Sequence, residues 1–202
     1  ITKLTDHVCT AGKVVRVVIA DHKGSTPRGT GTVMYVTEEE QFGTIGGGAL
    51  EYDAVAKARK LLCQKEDWQR VFLKVPLGPS LGQCCGGVVS LLLESYGQIE
   101  LAYLETLQGA FARPITSGKP SNSPLSVQKI MREARAGFDH RFSLQNGWLI
   151  EAMEMQKQSL WIYGAGHVGR ALVTVLCELP FAVTWIDSGR DRFPQEIPAH
   201  VN

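Results

Sequence analysis

Apolar residues in the first half of the chain fall into short runs that are separated by loops containing glycine and proline. The β-branched run at residues 14–20 is typical of a buried strand. Runs at residues 32–37, 43–45, 68–75 and 88–94 predict further strands. These five runs are the strands that we expect in the N-terminal half.

One segment of this half has the periodicity of a helix. Its apolar residues recur at spacings of three and four and form a single stripe. They are Leu50, Ala54, Val55, Ala58, Leu61 and Leu62. Lys57, Arg59 and Lys60 lie off the stripe, so the segment is predicted to form an amphipathic helix.

The middle of the chain shows weaker patterns. Residues 99–107 predict a helix, and residues 114–124 are rich in Pro, Ser, Gly and Asn, which is typical of a linker. Ser123-Pro124 supplies a cap and a first-turn proline for a further helix, and Gly137 is its expected end. Asn146-Gly147 between two apolar runs predicts a hairpin.

The last 45 residues or so follow a different plan. An apolar strand at residues 160–163 runs into the glycine loop 164–169, and a helix follows from about residue 167 to residue 179. A second apolar strand at residues 181–186 ends at Asp187. This is a β-α-β unit with a G-x-G-x-x-G turn and an acid about 20 residues further on, as the dinucleotide fingerprint requires.

These patterns predict an α/β protein in which an N-terminal mixed α+β domain precedes a Rossmann-like β-α-β domain. The expected divisions are residues 1–113, then a linker, helix and hairpin at 114–158, then a nucleotide-binding domain at 159–202. One β-α-β unit is less than a doubly wound sheet needs. We therefore expect the C-terminal domain to be incomplete here, or to be completed by another chain.

Composition narrows the class of function. The 202 residues are 44% hydrophobic, and 21 basic residues nearly balance 20 acidic ones, for a net charge of +1. A chain so balanced has no electrostatic reason to bind nucleic acid or an anionic membrane. No segment has the length of apolar sequence that spans a bilayer, and no signal peptide is visible. The five cysteines are an odd number with two adjacent, which favours a reducing, cytoplasmic location.

Gly46, Gly47 and Gly48 precede the strong helix, and their successive N–H groups are suited to an anion nest. A tight turn that needs positive φ is the simpler interpretation, although one or two glycines already satisfy it. Glu51 falls in the first helical turn, where capping competes with ligand contact. Ser25 and Arg28 lie in the loop after the first strand, and Arg28 is a bidentate donor suited to phosphate.

Cys84 and Cys85 are followed by Gly86 and Gly87 in a long loop that precedes a strand. A thiolate is a soft ligand for a metal such as molybdenum, and neighbouring N–H groups lower its pKa. The alternative is one buried structural cysteine with an incidental neighbour. A structural zinc site is not favoured, because no paired C-x₂-C is present and the histidines are scattered.

In the C-terminal glycine loop, Gly164 permits a tight turn, Gly166 allows backbone to approach a pyrophosphate, and Gly169 allows close helix packing. The helix N-terminus at His167 favours phosphate, and Asp187 is suited to a ribose hydroxyl. A nucleotide or NAD(P) is the expected ligand, and packing without ligand is the alternative.

The motifs taken together resemble the xanthine dehydrogenase accessory proteins of the XdhC/CoxI family. The resemblance is carried by residues 24–28 (GSTPR), 43–51 (GTIGGGALE), 81–87 (LGQCCGG), 164–169 (GAGHVG) and Asp187. It implies a chaperone that binds molybdenum cofactor (molybdopterin), supports its sulfuration and delivers it to xanthine dehydrogenase or a related molybdenum hydroxylase. It also implies a homodimer that cooperates with a cysteine desulfurase, and an accessory factor rather than a catalyst.

The resemblance assigns cofactor binding to Ser25 and Arg28, to the 46–48 run with Glu51, and to Gly86 with the cysteine pair. Cys85, with Cys84 as the alternate, is the expected molybdenum ligand. We expect these segments to meet at one cleft. The main alternative is an NAD(P)-dependent oxidoreductase, which explains the C-terminal fingerprint but leaves the cysteine pair without a role. A second alternative is an interaction scaffold with vestigial pockets.

Overall fold

The computed structural model describes residues 2–64, 68–78, 86–107, 109–119, 122–135, 142–152, 158–177, 179, 181–198 and 201. Within these residues the structure has five α-helices and ten strands, and the strands form three sheets. The chain divides into two compact units, Ile1–Met153 and Glu154–Asn202. The mixed α/β fold expected from the sequence is therefore confirmed.

A five-stranded antiparallel sheet is the centre of the first unit, with the strand order β3-β2-β1-β5-β4. Its strands are β1 (Val14–Lys23), β2 (Val33–Val36), β3 (Gln41–Gly43), β4 (Arg70–Pro76) and β5 (Val88–Tyr96). The long β1–β5 pairing runs from Val14 opposite Tyr96 to Lys23 opposite Val88. Because the two strands are antiparallel, the loop after β1 lies beside the segment that leads into β5.

Helix α2 (Gly48–Leu62) packs its predicted apolar stripe against one face of this sheet. Leu50 and Ala58 on the helix join Val17, Ile19 and Leu91 on the strands in one core cluster, and all five side chains are buried. Burial of this stripe fixes the rotation of the helix and thus the placement of its first turn.

The other face of the sheet is covered by two further groups of elements. They are α1 (Thr2–Ala11) with α3 (Gln98–Glu105), and a three-stranded antiparallel sheet of β6 (Ala110–Pro114), β8 (Trp148–Ala152) and β7 (Phe142–Gln145) with α4 (Leu125–Arg135). Val18, Leu92 and Leu149 form one of the apolar clusters on this side. The predicted Asn146-Gly147 turn joins β7 to β8, and both residues have positive φ.

A buried charged cluster links the two sheets of the first unit. Strand pairing places Arg16 and Arg70 on either side of Glu94. The Glu94 carboxylate accepts hydrogen bonds from Arg70 Nε at 2.9 Å and from Arg113 Nη2 at 2.7 Å. Glu151 from β8 contacts both Arg16 and Arg113. The side chains of Glu94, Arg70 and Arg113 are fully buried.

The second unit contains β9 (Gln158–Tyr163), α5 (His167–Leu176) and β10 (Phe181–Ile186). The two strands are parallel and in register from Gln158 opposite Phe181 to Tyr163 opposite Ile186. Val173 on the helix packs with Ile162, Val183 and Trp185. This is the β-α-β unit that the glycine loop and its flanking apolar runs predicted.

Two elements were absent from the sequence-based expectation, namely α1 and β6. Strand β3 covers Gln41–Gly43 rather than residues 43–45, because Glu51 binds the backbone of the residues that follow it. The three-part domain division stays a prediction. None of the described helices is long and apolar enough to cross a membrane.

Candidate functional site

The loop after β1 and the segment before β5 are in direct backbone contact. Ser25 and Gly86 form an isolated parallel bridge. A methyl group added to Gly87 would lie 2.2 Å from the Ser25 carbonyl oxygen, so only glycine fits at this position. Two segments that lie some 60 positions apart in the sequence are thus held together by a residue without a side chain.

Leu77 is joined to Gly86 and Gly87 by two backbone hydrogen bonds. The Gly86 N–H donates to the Leu77 carbonyl at 2.9 Å, and the Leu77 N–H donates to the Gly87 carbonyl at 2.8 Å. Gly86 is exposed, has φ +69° and faces open space. Cys84 and Cys85 lie outside the described residues, so the predicted thiol positions stay a prediction.

The glycine run at the start of α2 lies against the loop that follows β1. Gly46, Gly47 and Gly48 all have positive φ, at +129°, +76° and +63°. A methyl group at Gly46 would lie 3.1 Å from Pro27 Cβ and 4.0 Å from Arg28 Cγ, whereas one at Gly47 would meet nothing within 4 Å. The run therefore packs against residues 27–28 at one end and borders open space at its centre.

The half-buried Glu51 is hydrogen-bonded to the backbone of this run and of the residue before it. Its Oε2 atom accepts hydrogen bonds from the Thr44 hydroxyl at 2.5 Å and from the N–H groups of Ile45 and Gly47, both at 3.1 Å. Its Oε1 atom accepts from Gln41 Nε2 at 2.9 Å. Desolvation opposes ionisation, but these hydrogen bonds outweigh it and lower the pKa of Glu51.

These bonds correct the expectation of a free amide nest at residues 46–48. The Gly46 N–H donates to the Thr44 hydroxyl at 3.1 Å, and the Gly47 N–H is held by Glu51. The turn satisfies these two donors internally, so they are not open to an anion. Contact between the cofactor and Glu51 or the glycines stays a prediction. Since the N–H groups of Gly46 and Gly47 are already bonded within the turn, they do not support amide binding of an anion there.

Ser25 and Arg28 are both exposed. The side-chain stem of Arg28 lies beside Gly46, the residue before the open position at Gly47. Together with the exposed Ser25 hydroxyl, Arg28 forms a donor set suited to phosphate. At this surface the exposed side chains, and not the amides of Gly46 and Gly47, are the donors left without an internal acceptor in the turn.

A separate cavity of about 550 Å³ lies beside α1. It is lined in part by His7, Phe42 and the three consecutive glutamates Glu38, Glu39 and Glu40, and it includes none of the predicted site residues. Its acidic lining disfavours an anionic cofactor.

In the second unit, the glycine loop has the packing that its pattern predicted. Gly164 has φ +103°. A methyl group at Gly169 would lie 2.0 Å from the Gly164 carbonyl oxygen, whereas one at Gly166 would meet nothing within 4 Å. Gly166 caps α5, and His167 is its exposed first residue. The loop thus combines a tight turn, a close helix and an open central position.

Asp187 is bound to the same loop. Its carboxylate accepts hydrogen bonds from the Ala165 N–H at 2.6 Å and from the Gly189 N–H at 3.0 Å. These bonds lower the pKa of Asp187. Asp187 therefore fixes the turn in the described structure, and its contact with a ribose stays a prediction.

The sequence did not predict the roles of Thr44 and Gly24, which contact the predicted site residues and hold their backbone in place. Thr44 bonds both Glu51 and Gly46, and Gly24 approaches Gly87 so closely that an added methyl group would lie 3.3 Å from Gly87 Cα. Both residues fall inside the quoted motifs. The signals available in the sequence were a glycine at position 24 and a hydroxyl residue, Thr44, ahead of the glycine run. The described Cys9, Cys63 and Cys177 are free and exposed.

Part of the chain matches a known protein family. Residues 10–71 match the model of the XdhC and CoxI family, which confirms the resemblance over the segment that carries Ser25, Arg28 and the glycine run. This family is associated with xanthine dehydrogenase maturation. No curated protein matches the chain at a significant level.

A crystal structure described as a xanthine dehydrogenase from Bacillus halodurans is similar in fold, with a TM-score of 0.67 and 22% sequence identity. The match covers 94% of this chain and 63% of that chain. At this identity the likeness shows the fold, and this chain spans less than two thirds of its structural neighbour.

Proposed function

We propose that this chain, whose residues 10–71 match the XdhC and CoxI family, is a carrier of molybdenum cofactor. In this role it binds molybdopterin, protects it, supports its sulfuration with a cysteine desulfurase, and delivers it to xanthine dehydrogenase or a related molybdenum hydroxylase. The observation that carries the proposal is the convergence of three separate segments. Residues 24–28 contact both the 46–48 run, through Gly46, and the 86–87 segment, through Gly87, and a side chain at Gly87 would collide with the Ser25 carbonyl.

The residues at this convergence fit such a group. Molybdopterin combines a flat pterin with an anionic phosphate and a sulfur-bound metal. Arg28 and Ser25 are exposed donors for the phosphate, and the open positions at Gly47 and Gly86 leave space for a flat ring. Cys85 directly precedes Gly86 in the sequence, and its thiol is the proposed ligand of the metal. When bound, the cofactor supplies the molybdenum centre of the target enzyme.

Retention of the cofactor tests the carrier role. We expect native mass spectrometry of the protein, purified after co-expression with an active molybdenum-cofactor pathway, to show the mass of the bound cofactor. A protein that emerges without any pterin under these conditions contradicts the proposal.

The thiol role has its own test. The double substitution Cys84→Ala, Cys85→Ala is expected to lower retention strongly, because a soft ligand to the metal is lost. Cys9→Ala, Cys63→Ala is the matched control, since both of these cysteines are exposed and lie elsewhere in the first unit. Equal retention in the two double variants removes the thiol from the site.

For the second unit we propose a Rossmann-like nucleotide site, for a nucleotide or NAD(P). Support comes from the parallel β9–α5–β10 unit, the open position at Gly166 and the helix N-terminus at His167. Calorimetric titration with NAD, NADP and cofactor dinucleotides tests it, and no heat with any of them contradicts it. Hydride transfer visible at 340 nm with a substrate panel would instead favour an oxidoreductase.

A further inference from the structure

The first turn of α2 carries a large aromatic residue that takes no part in the core. Tyr52 is 77% exposed, which is the highest exposure among the described aromatic side chains. Its neighbours along the helix, Leu50 and Ala54, are buried in the core cluster below the sheet. A single exposed aromatic side chain is ordinary on a protein surface, so its location must carry the argument.

That location is beside the glycine run. Residues four apart on a helix lie on the same face, one turn above the other, and Tyr52 is four residues after Gly48. Gly48 has no side chain to cover the ring. The helical spacing therefore places Tyr52 on the same face of α2 as Gly48, one turn further along the helix.

Arg28 borders the opposite end of the run. Its side-chain stem lies close to Gly46, where an added methyl group would be 4.0 Å from Arg28 Cγ. Gly47, between the two ends, faces open space. Along the chain, Gly47 therefore lies between a position in contact with the Arg28 stem and a helix start that is followed one turn later by an exposed aromatic residue.

We propose that Tyr52 stacks on the pterin ring while Arg28 binds the phosphate of the same ligand. Aromatic side chains stack on flat heteroaromatic rings, and such stacking is sensitive to loss of the ring but not of the hydroxyl. The glycine at position 47 allows the ligand to approach the backbone between the two groups. This inference rests on the proposed carrier function and adds the side chain that recognises the ring.

The test separates ring recognition from phosphate recognition. The probe is 6-hydroxymethylpterin, which has the pterin ring but no phosphate, and binding is followed by quenching of pterin fluorescence. We expect Tyr52→Leu to weaken binding about tenfold and Tyr52→Phe to bind like the wild type, because Phe keeps the ring. Arg28→Gln is expected to leave this probe unaffected and to weaken binding of molybdopterin, which carries the phosphate.

Ile99→Ala is the matched control, since Ile99 is also exposed in the first turn of a helix, α3. Its affinity for the probe should equal that of the wild type. Binding of the probe by Tyr52→Leu within twofold of the wild type overturns the stacking role. If the wild type retains molybdopterin on co-expression but does not bind the probe, the inference fails and the carrier function stands. If it retains no cofactor, both fall.

Discussion

Glu51 accepts four hydrogen bonds with one carboxylate, and the conformation of the glycine run depends on it. The donors come from Gln41, Thr44, Ile45 and Gly47. Because two of these donors are backbone amides, one in the run at Gly47 and one directly before it at Ile45, loss of the carboxylate leaves them without an acceptor. Glu51 thus acts on the proposed ligand surface through the backbone that it holds.

Substitution Glu51→Gln should destabilise the protein by about 1–3 kcal/mol, because an amide has only one acceptor oxygen for these donors. The free energy of unfolding in urea measures this. Asp53→Asn is the control, since Asp53 is exposed on the same helix, and its effect is expected to stay below about 0.5 kcal/mol. Equal effects of the two substitutions would show that Glu51 does not hold the turn.

The buried Glu94 makes the stability of the first unit dependent on acid pH. Burial works against ionisation, but the charge and hydrogen bonds of Arg113 and the charges of Arg70 and Arg16 outweigh it and lower the pKa of Glu94 to about 2. An unfolded glutamate titrates near its ordinary value of 4.5. Since the folded pKa is the lower one, this contribution is present above pH 4.5 and is lost as the pH falls towards 2.

We therefore expect the free energy of unfolding to decrease between pH 5 and pH 2, with Glu94 contributing on the order of 3 kcal/mol of the decrease. Urea unfolding followed by tryptophan fluorescence at a series of pH values measures the slope. In Glu94→Gln the acid slope should be shallower at a lower overall stability. A wild-type free energy that is flat across this range contradicts the assigned pKa.

Single residues differ in how far their sequence context predicts their role. Gly169 was expected to allow close packing of helix and strand, and its contact with Gly164 confirms that. Glu51 was correctly located in the first helical turn, but its partners come from the preceding loop, whose path depends on tertiary packing. A charge pattern alone does not reveal the path of that loop.

Among the elements, the β9–α5–β10 unit depends on Gly169. Substitution Gly169→Ala would place a methyl group 2.0 Å from the Gly164 carbonyl, so helix and loop must separate. We expect loss of protection of the α5 amides in hydrogen exchange and weaker nucleotide binding. Gly166→Ala is the matched control for the fold, because its methyl group meets open space and its φ is −76°. Unchanged protection in Gly169→Ala would contradict the close packing.

The sequence pattern predicted α2, β1, β5 and the β-α-β unit. In each of these elements, apolar residues recur along the element and pack in a hydrophobic core. It missed β6, whose central residues are Phe111, Ala112 and Arg113. Arg113 is fully buried there and is neutralised by Glu94 and Glu151 from two other strands. From the sequence alone, an arginine is expected at the surface. The strand is therefore identified only by its pairing with β8 and by the ion pairs of Arg113 in the folded structure.

At the scale of the whole molecule, the two units differ in how completely they bury their apolar surface. Trp161 and Tyr163 on β9 and Val168 and Val175 on α5 are 60–74% exposed. The described residues of the second unit form two paired strands, and parallel sheets are normally covered on both faces. The first unit has several core clusters and a buried charged network.

This difference predicts how the units behave when they are separated. Residues 1–153 should fold as an isolated fragment, with a cooperative urea transition and the pH dependence that Glu94 gives to the full chain. Residues 154–202 should not fold alone, because an isolated two-stranded sheet is marginal in water and its large apolar side chains stay exposed. Circular dichroism of both fragments measures this.

If the proposed carrier surface lies wholly in the first unit, the 1–153 fragment also retains the pterin cofactor on co-expression. A folded 1–153 fragment that emerges without cofactor would contradict the assignment of the whole surface to the first unit.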